Sequence, residues 1–505
     1  MKIYDYIVIG SGPSGVSCSK AIVEKKNKVL MIDVGKKIET NIINEFNTIF
    51  KNNPIEKARK SIINLCKKKI NFTKKKYFTS EFCYEDFNEF VVGKKKKNIF
   101  FSNARGGFSN VWGGACLPYR NLDIQDWPIN SESLNLAYKK IQEEIDISFE
   151  KDELINLYPT YNDNKINNKI KRSDDEKELY SCFKKQNVKN MFVGFSRLAS
   201  KNNCPLCLFG CPEKHIYNSS QTLEKLIKNE NFNYLKNHKL EKFIEKEEYI
   251  ELKILNILDK KISSIYCKKL FLGAGPLSTF NIVINSLKPK KTFVLKENQI
   301  FALPIYSFKK TYNKYNQISL SSFFVEVLDD INPKKNIHLQ LYILNEYLLG
   351  QIKSLIIFKF FPRIILKFFL RRFVFALGYL NSAFSNSMEI KPVYKNNKIF
   401  YDVRNINNIL LKKQVKNIST KFKSNKNFIF LNNFIKLFDF GSGNHFGCLF
   451  PMKKNPKYLE TFDNGKLNGT RNIFIIDSSN FTSIPPNTIT YSIMANAYRI
   501  GKLNS

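Results

Sequence analysis

Tyr6-Ile7-Val8-Ile9-Gly10-Ser11-Gly12-Pro13-Ser14-Gly15 opens the chain's most informative stretch, which continues through Val16-Ser17-Cys18-Ser19-Lys20-Ala21-Ile22-Val23 and Lys28-Val29-Leu30-Met31-Ile32 to Asp33. The short apolar run from Tyr6 to Ile9 has the pattern of a strand buried on both faces. The glycine turn leads into a helix, and a second buried strand ends on an acid. Each part answers a physical requirement. Gly10 permits a tight turn, Gly12 lets backbone approach a pyrophosphate, and Gly15 lets helix and strand pack closely. With Pro13 and Ser14 they start a helix whose free N–H groups and dipole favour phosphate. Asp33, eighteen residues beyond Gly15, can accept hydrogen bonds from ribose hydroxyls. A lone glycine triplet would mean little, but strand, helix and acid together predict dinucleotide binding.

Further glycine-rich blocks recur far downstream. Arg105-Gly106-Gly107-Phe108-Ser109-Asn110-Val111-Trp112-Gly113-Gly114 is a loop dense in backbone donors. Lys269-Leu270-Phe271-Leu272-Gly273-Ala274-Gly275-Pro276-Leu277-Ser278 is another buried strand entering a glycine turn and a helix. Asn472 to Ile476 is a strand ending in Asp477, followed by Pro485-Pro486-Asn487-Thr488-Ile489-Thr490 and a helix from Tyr491 to Arg499. A long, extended cofactor such as FAD needs contacts from the start, middle and end of a chain. An isoalloxazine ring also gains from a helix N-terminus near its anionic end.

These blocks, with His445 to Thr490, resemble the glucose–methanol–choline (GMC) oxidoreductase family of flavoproteins in order and in separation. The resemblance covers a minority of the chain. It implies FAD held by Gly10, Gly12, Pro13, Ser14, Gly15, Asp33, Gly106, Gly107, Ser109, Asn110, Gly113, Ala274, Asp477 and Thr490. Asp33 stands where the family usually has Glu, and Thr488 replaces the proline that usually follows the C-terminal asparagine.

Four histidines occur: His215, His238, His338 and His445. His445, in Gly441-Ser442-Gly443-Asn444-His445-Phe446-Gly447-Cys448, resembles the family's catalytic block, and Asn487 follows forty-two residues later, where the family places its second catalytic residue. A neutral imidazole, with an unperturbed pKa of about 6.5, suits removal of a hydroxyl proton while hydride leaves for flavin N5. The Asn487 amide can orient the substrate oxygen. The other three histidines lack such a context and read as structural or surface residues.

The expected fold is α/β: a discontinuous Rossmann-type FAD-binding domain (1–40, 95–120, 215–285 and 437–505) and an α+β substrate domain around an antiparallel sheet (121–214 and 286–436). Ile337-His338-Leu339-Gln340-Leu341-Tyr342 alternates like a strand of a sheet roofing the flavin. The Lys/Asn-rich stretches 150–175 and 401–427 read as loops.

Cys204-Pro205-Leu206-Cys207-Leu208-Phe209-Gly210-Cys211-Pro212 has the close spacing that thiolate ligation needs. Three thiols leave a metal site one ligand short, with no fourth Cys or His obvious except His215, and no metal is assigned; Cys204, Cys207 and Cys211 are candidates for an iron–sulfur centre, against a thiol-rich loop or a local disulfide. Ser219-Ser220-Gln221-Thr222 looks like a helix start just beyond.

The 505 residues carry 81 Lys+Arg and 44 Asp+Glu, a formal charge of +37, with 43% apolar and 14% aromatic residues, 21 Gly and 17 Pro. That excludes a disordered or fibrous chain. The lysines are scattered, in runs such as Lys74–Lys76 and Lys94–Lys97, and no nucleic-acid motif accompanies them, so nucleic acid is not expected as a partner. Ten cysteines and no secretory-signal pattern at the first residues lead to an expected cytoplasmic setting. One charged segment is ordered. Within 354–375, Lys359, Arg363, Lys367 and Arg371 recur every four residues among Phe, Ile and Leu. An interfacial helix on an anionic membrane, peripheral on its inner face, fits this, with a buried helix as the alternative; Pro362 would start or kink it.

The expected activity is oxidation of a hydroxyl of a sugar or other alcohol, with a glycan precursor as one substrate class. Alternatives are a membrane-associated dehydrogenase passing electrons to quinone, and a non-catalytic basic membrane-surface protein on a flavin fold. Substrate, electron acceptor and oligomeric state are not legible.

Overall fold

The computed structural model describes residues 2–69, 81–86, 91–92, 99–158, 166–167, 170–186, 188–309, 319–353, 360–395, 398–422, 424, 426–443 and 445–505. The lysine runs at 74–76 and 94–97, Asn444 and residues 354–359, with Lys359, lie outside them. The architecture is mixed α/β with several sheets.

The opening stretch folds as its pattern requires. Strand Ile3–Ile9 pairs in parallel with Val29–Ile32 on one side and with Ile262–Leu272 on the other. Phe232–Leu235 and Ile473–Ile475 add further parallel pairings. His238–Glu245 and Ile250–Asn256 extend the sheet as antiparallel strands. Alternate residues feed two separate cores. Ile7, Ile9, Leu30, Ile32, Leu270 and Leu272 face one, whereas Val8, Val29, Met31 and Phe271 face the other. Both faces are covered, which is why these strands are continuously apolar. Helix Pro13–Glu24 lies against the C-terminal helix Thr490–Asn504, closely enough that a Cβ on Gly501 would stand 2.8 Å from the Cys18 carbonyl oxygen.

A second sheet is antiparallel throughout, in the order Phe428–Phe430, Ile300–Ser307, Phe373–Leu380, Ile337–Ile343, Phe323–Val327, Met191–Phe195. One face packs Phe301, Leu303, Phe323, Val325 and Leu339 against helices Asp174–Lys184 and Leu410–Lys421. Alternation sends Glu326, His338 and Gln340 to the opposite face, where they are buried as well. A third sheet runs Phe446–Gly447, Phe293–Glu297, Ser387–Lys395, Lys398–Ile406, Val91–Val92. The chain passes from the third sheet to the second through Asn298 and Gln299 alone, between Phe293–Glu297 and Ile300–Ser307.

Two expectations are corrected. The stretch 401–427 is not a loop: it holds the end of strand Lys398–Ile406 and the helix Leu410–Lys421. Tyr401, Leu411 and Val415 anchor these elements in the cores, and the interleaved lysines hide that periodicity. Residues 360–375 do not form one continuous helix. Within the described part, Pro362 caps a short helix, Arg363–Leu370, and the chain is already a sheet strand from Phe373.

Gly378 pairs with Phe301 across the antiparallel sheet, and a Cβ there would come within 2.1 Å of the Phe301 ring. Gly378→Ala should therefore lower stability by about 1–3 kcal/mol, the usual cost of overpacking. Chemical denaturation measures this; an unchanged midpoint would show that the ring is free to move aside.

Candidate functional site

The glycine turn is built by contact. Gly10 has φ of +93°, and a Cβ at Gly15 would fall 1.8 Å from the Gly10 carbonyl oxygen. Gly12, by contrast, has open space above it, with nothing within 4 Å of a Cβ position. It precedes helix Pro13–Glu24, whose first turn has no side-chain cap and no acidic residue. This is a cradle of free backbone donors with room for a phosphate. Ser14 turns inward and donates to the Gly273 carbonyl at 3.2 Å, tying this turn to the one containing Ala274.

The Arg105–Gly114 loop lies beside the first turn. The Gly106 N–H donates to Ser11 Oγ at 2.9 Å, and a Cβ on Gly107 would stand 3.4 Å from Gly12 Cα. Asn110 donates to the carbonyls of Arg105 and Gly107 and accepts from Asn218 Nδ2 at 2.6 Å. Ser109 donates to Gly106 O and is joined to Ser219. Gly113 has open space at its Cβ position. Asp33, buried at the end of its strand, accepts from Ser11 Oγ at 2.5 Å and from Tyr234 OH at 2.9 Å. Burial pushes its carboxyl up, opposed by those hydrogen bonds. Arg105 lies over the Tyr234 ring. Ser11 and Arg105 fall inside the quoted blocks without being marked as site residues, and Tyr234 escapes a motif-based reading because it belongs to no fixed spacing.

At the other end, Asp477 is buried and accepts from Thr279 Oγ1 and from the Ser479 hydroxyl and N–H. Burial again raises its carboxyl against these bonds. Thr490 is the first residue of the C-terminal helix. Thr488 Oγ1 accepts from the Leu117 N–H, and Asn487 Nδ2 donates to the Pro118 carbonyl at 2.8 Å. The substituted Thr488 thus helps fasten the segment after the glycine loop to the C-terminal region.

His445 and Asn487 meet through a residue the motifs do not mark. Asn298 donates through Nδ2 to the carbonyl oxygens of Pro485 and Asn487, each at 3.0 Å. The reversed amide would set its oxygen against two carbonyls, so Oδ1 faces His445 Nδ1, 2.9 Å away. Oδ1 only accepts. Nδ1 therefore carries the proton, and in the neutral ring Nε2 keeps its lone pair. Tyr379 stacks on the imidazole, with centroids 5.5 Å apart and planes 19° apart. The joint between the sheets thus fixes the tautomer of the His445 ring. Asn487 is buried, and its Oδ1 has no hydrogen-bond partner among the described residues. A buried acceptor left this way costs about 1–3 kcal/mol, which fits a place where a ligand hydroxyl donates.

His338 is structural in position, yet not isolated. Fully buried, it pairs through Nδ1 with Glu326 at 2.6 Å, and its ring lies 5.7 Å from that of Tyr379. His238 bonds its own loop, at the Lys236 carbonyl. The cysteines of 204–211 lie in the loop before helix Ser219–Ile227, where Asn218 caps the first turn. His215 belongs with them rather than to a plain surface. Burial alone would raise the Glu213 carboxyl, but hydrogen bonds from His215, Arg59 and Cys204 hold it at about 2. The neighbouring Cys207 thiol and the backbone N–H of Ile216 lower the Cys211 thiol against the effect of burial.

Comparison with protein-family models gives no match, and neither does comparison with curated proteins. Among solved structures, the chain is similar to pyridoxine 4-oxidase from Mesorbium loti, with a TM-score of 0.64 and 10% sequence identity, over 99% of this chain and 99% of that one. At that identity the likeness speaks for the fold, and the fold of this oxidase extends over nearly the whole of the present chain.

Proposed function

We propose that the chain is an FAD-dependent oxidoreductase of the GMC type that oxidises a CH–OH group of a sugar or other alcohol. The observation that carries the reading is the Asn298 amide, which leaves His445 with a proton on Nδ1 and a lone pair on Nε2. The open space at Gly12 and Gly113, the capless helix at Pro13 and the Gly106–Asn110 loop beside them fit a pyrophosphate and its extended cofactor. Residues 1–40, 95–120, 215–285 and 437–505 would form the FAD-binding domain, and 121–214 and 286–436 the substrate domain. The fold shared with an oxidase of pyridoxine, itself a small alcohol, is consistent with this.

When bound, FAD would supply the two-electron acceptor for hydride. The protein does the rest. His445 Nε2 takes the hydroxyl proton, and Asn298 holds the ring tautomer while Tyr379 holds its plane. Asn487 Nδ2 donates to the Pro118 carbonyl, and its Oδ1 accepts from a second donor group of the substrate, orienting the hydroxyl whose proton goes to His445.

His445→Ala should keep its bound flavin and lose anaerobic flavin reduction by about 10²–10⁴-fold. Asn298→Ala should keep flavin and slow reduction by about 10–100-fold, the usual cost of losing a partner that fixes a ring tautomer. Unchanged reduction in His445→Ala would sink the assignment.

We also propose a peripheral contact with an anionic membrane, on different grounds from the cation spacing. Phe360 and Ile364 are 86% and 84% exposed, and Ile365, Phe368 and Phe369 join them on the outer face of helix Arg363–Leu370. Arg363 and Lys367 bind Glu346 at 3.0 and 3.2 Å, and Arg371 lies over the Phe368 ring. The apolar side faces outward, as an interfacial helix requires, with Arg363 and Lys367 held on the protein side by Glu346. Among the described residues no helix is long and apolar enough to cross a membrane. Such a surface would suit a lipid-borne electron acceptor such as quinone. Wild-type protein should float with anionic liposomes and Ile364→Asp/Phe368→Asp should not; equal behaviour of the two would remove the contact.

A further inference from the structure

Residues 204–216 double back on themselves. Gly210, Cys211 and Lys214 take φ of +95°, +50° and +54°. For Cys and Lys this backbone is costly, and such strain collects at functional sites. The reversal brings residues thirteen apart or less into one cluster. The donor atoms of Cys204, Glu213 and His215 all lie within 4.8 Å of one another. Cys207 and Cys211 lie in the same reversal of the loop, Cys207 buried and Cys211 half-buried. Cys204 and Cys207 are buried, and none of the three is in a disulfide.

The surroundings are those of a ligand set. The Ile216 N–H donates to Cys211 Sγ at 3.2 Å and the Leu206 N–H to Cys204 Sγ at 3.4 Å; hydrogen bonds of this kind support metal-bound thiolates. Glu213 is held by Arg59, whose Nε and Nη2 each donate at 2.8 Å, and it bonds His215 Nε2 at 3.0 Å. A carboxylate on one ring nitrogen fixes the tautomer and leaves the other nitrogen for a metal. His215 also lines a cleft of about 190 Å³ with Glu143, Glu144, Asp146, Lys201 and Lys225, which gives the loop an opening to solvent.

We propose that this loop binds a single thiophilic divalent ion of the zinc class through Cys204, Cys207, Cys211 and the His215 nitrogen not bonded to Glu213. Three sulfurs and one imidazole make a tetrahedral set that soft donors reserve for such metals rather than for magnesium or calcium. Metal–sulfur and metal–nitrogen bonds of about 2.3 and 2.0 Å put tetrahedral donors roughly 3.5–3.8 Å apart. Cys204 and His215 already stand within 4.8 Å of each other, and Cys207 and Cys211 would turn toward them to enclose one ion. Binding displaces the thiol protons to solvent and moves no electrons. The ion would brace the loop that presents Asn218 and Ser219 to the Gly106–Asn110 segment. The proposal does not rest on the catalytic reading.

The test is the metal content of full-length protein purified under reducing conditions without added metal or chelator, with acid-labile sulfide measured beside it. The expected result is about one zinc per chain. Cys204→Ser and His215→Gln should retain less than about a tenth of it, while Cys182→Ser, which removes a thiol outside the loop, keeps it all. Should the loop variants fail to fold, cobalt(II) added to metal-stripped wild type should give the visible bands of tetrahedral, thiolate-bound cobalt. Iron with labile sulfide overturns the proposal. So does a wild type that takes up neither zinc nor cobalt, or metal that survives in folded Cys204→Ser.

Discussion

The structure hangs on a place where three stretches of backbone come closer than side chains allow. A Cβ at Gly15 would overlap the Gly10 carbonyl at 1.8 Å, and one at Gly10 would approach the Gly273 carbonyl at 2.7 Å. Strand, helix and the turn after Ile262–Leu272 can therefore meet only if these positions carry no side chain. Once they meet, Ser14 locks one turn to the other, the helix N-terminus is aimed into open space at Gly12, and the Gly106 loop can reach Ser11. Everything that would surround a dinucleotide follows from that approach.

The second organising point is the two-residue joint at Asn298 and Gln299. Neighbouring strands on either side of it belong to different sheets, so the backbone must turn, and buried polar groups in the turn need partners. Asn298 satisfies the carbonyls of Pro485 and Asn487, and Gln299 satisfies Phe438 and Asn386. The same amide that closes the joint orients His445. Fold and chemistry share one hydrogen-bond network here, so a change made for catalysis at Asn298 is also a change in packing.

What could be read from the residues was what is local. Gly10 to Asp33 acts within one supersecondary unit, and its elements appear where periodicity and turn chemistry put them, apart from a few residues at the ends. His445 and Asn487 were visible through spacing and flanking glycines. Asn298, Tyr379 and Tyr234 were not: each is an ordinary residue whose role depends on pairings more than a hundred residues away or on strand register. The segment around 363–371 misled for a different reason. Its cations repeat every four residues, but Glu346 draws Arg363 and Lys367 to the protein side and leaves phenylalanines outward. In 401–427, lysine masks an apolar face only one or two residues wide. The loop at 204–216 could not be judged from three cysteines, because the reversal at Gly210 and Cys211 is what brings Glu213 and His215 to them.

The central claim is that this chain holds FAD and reduces it with an alcohol. The most direct measurement is anaerobic absorbance spectroscopy of the purified protein, first alone and then with a panel of sugars and alcohols. The account predicts a yellow protein that releases about one FAD per chain on denaturation, bleached by at least one member of the panel. A colourless protein with no extractable flavin, unable to take up added FAD, would contradict it.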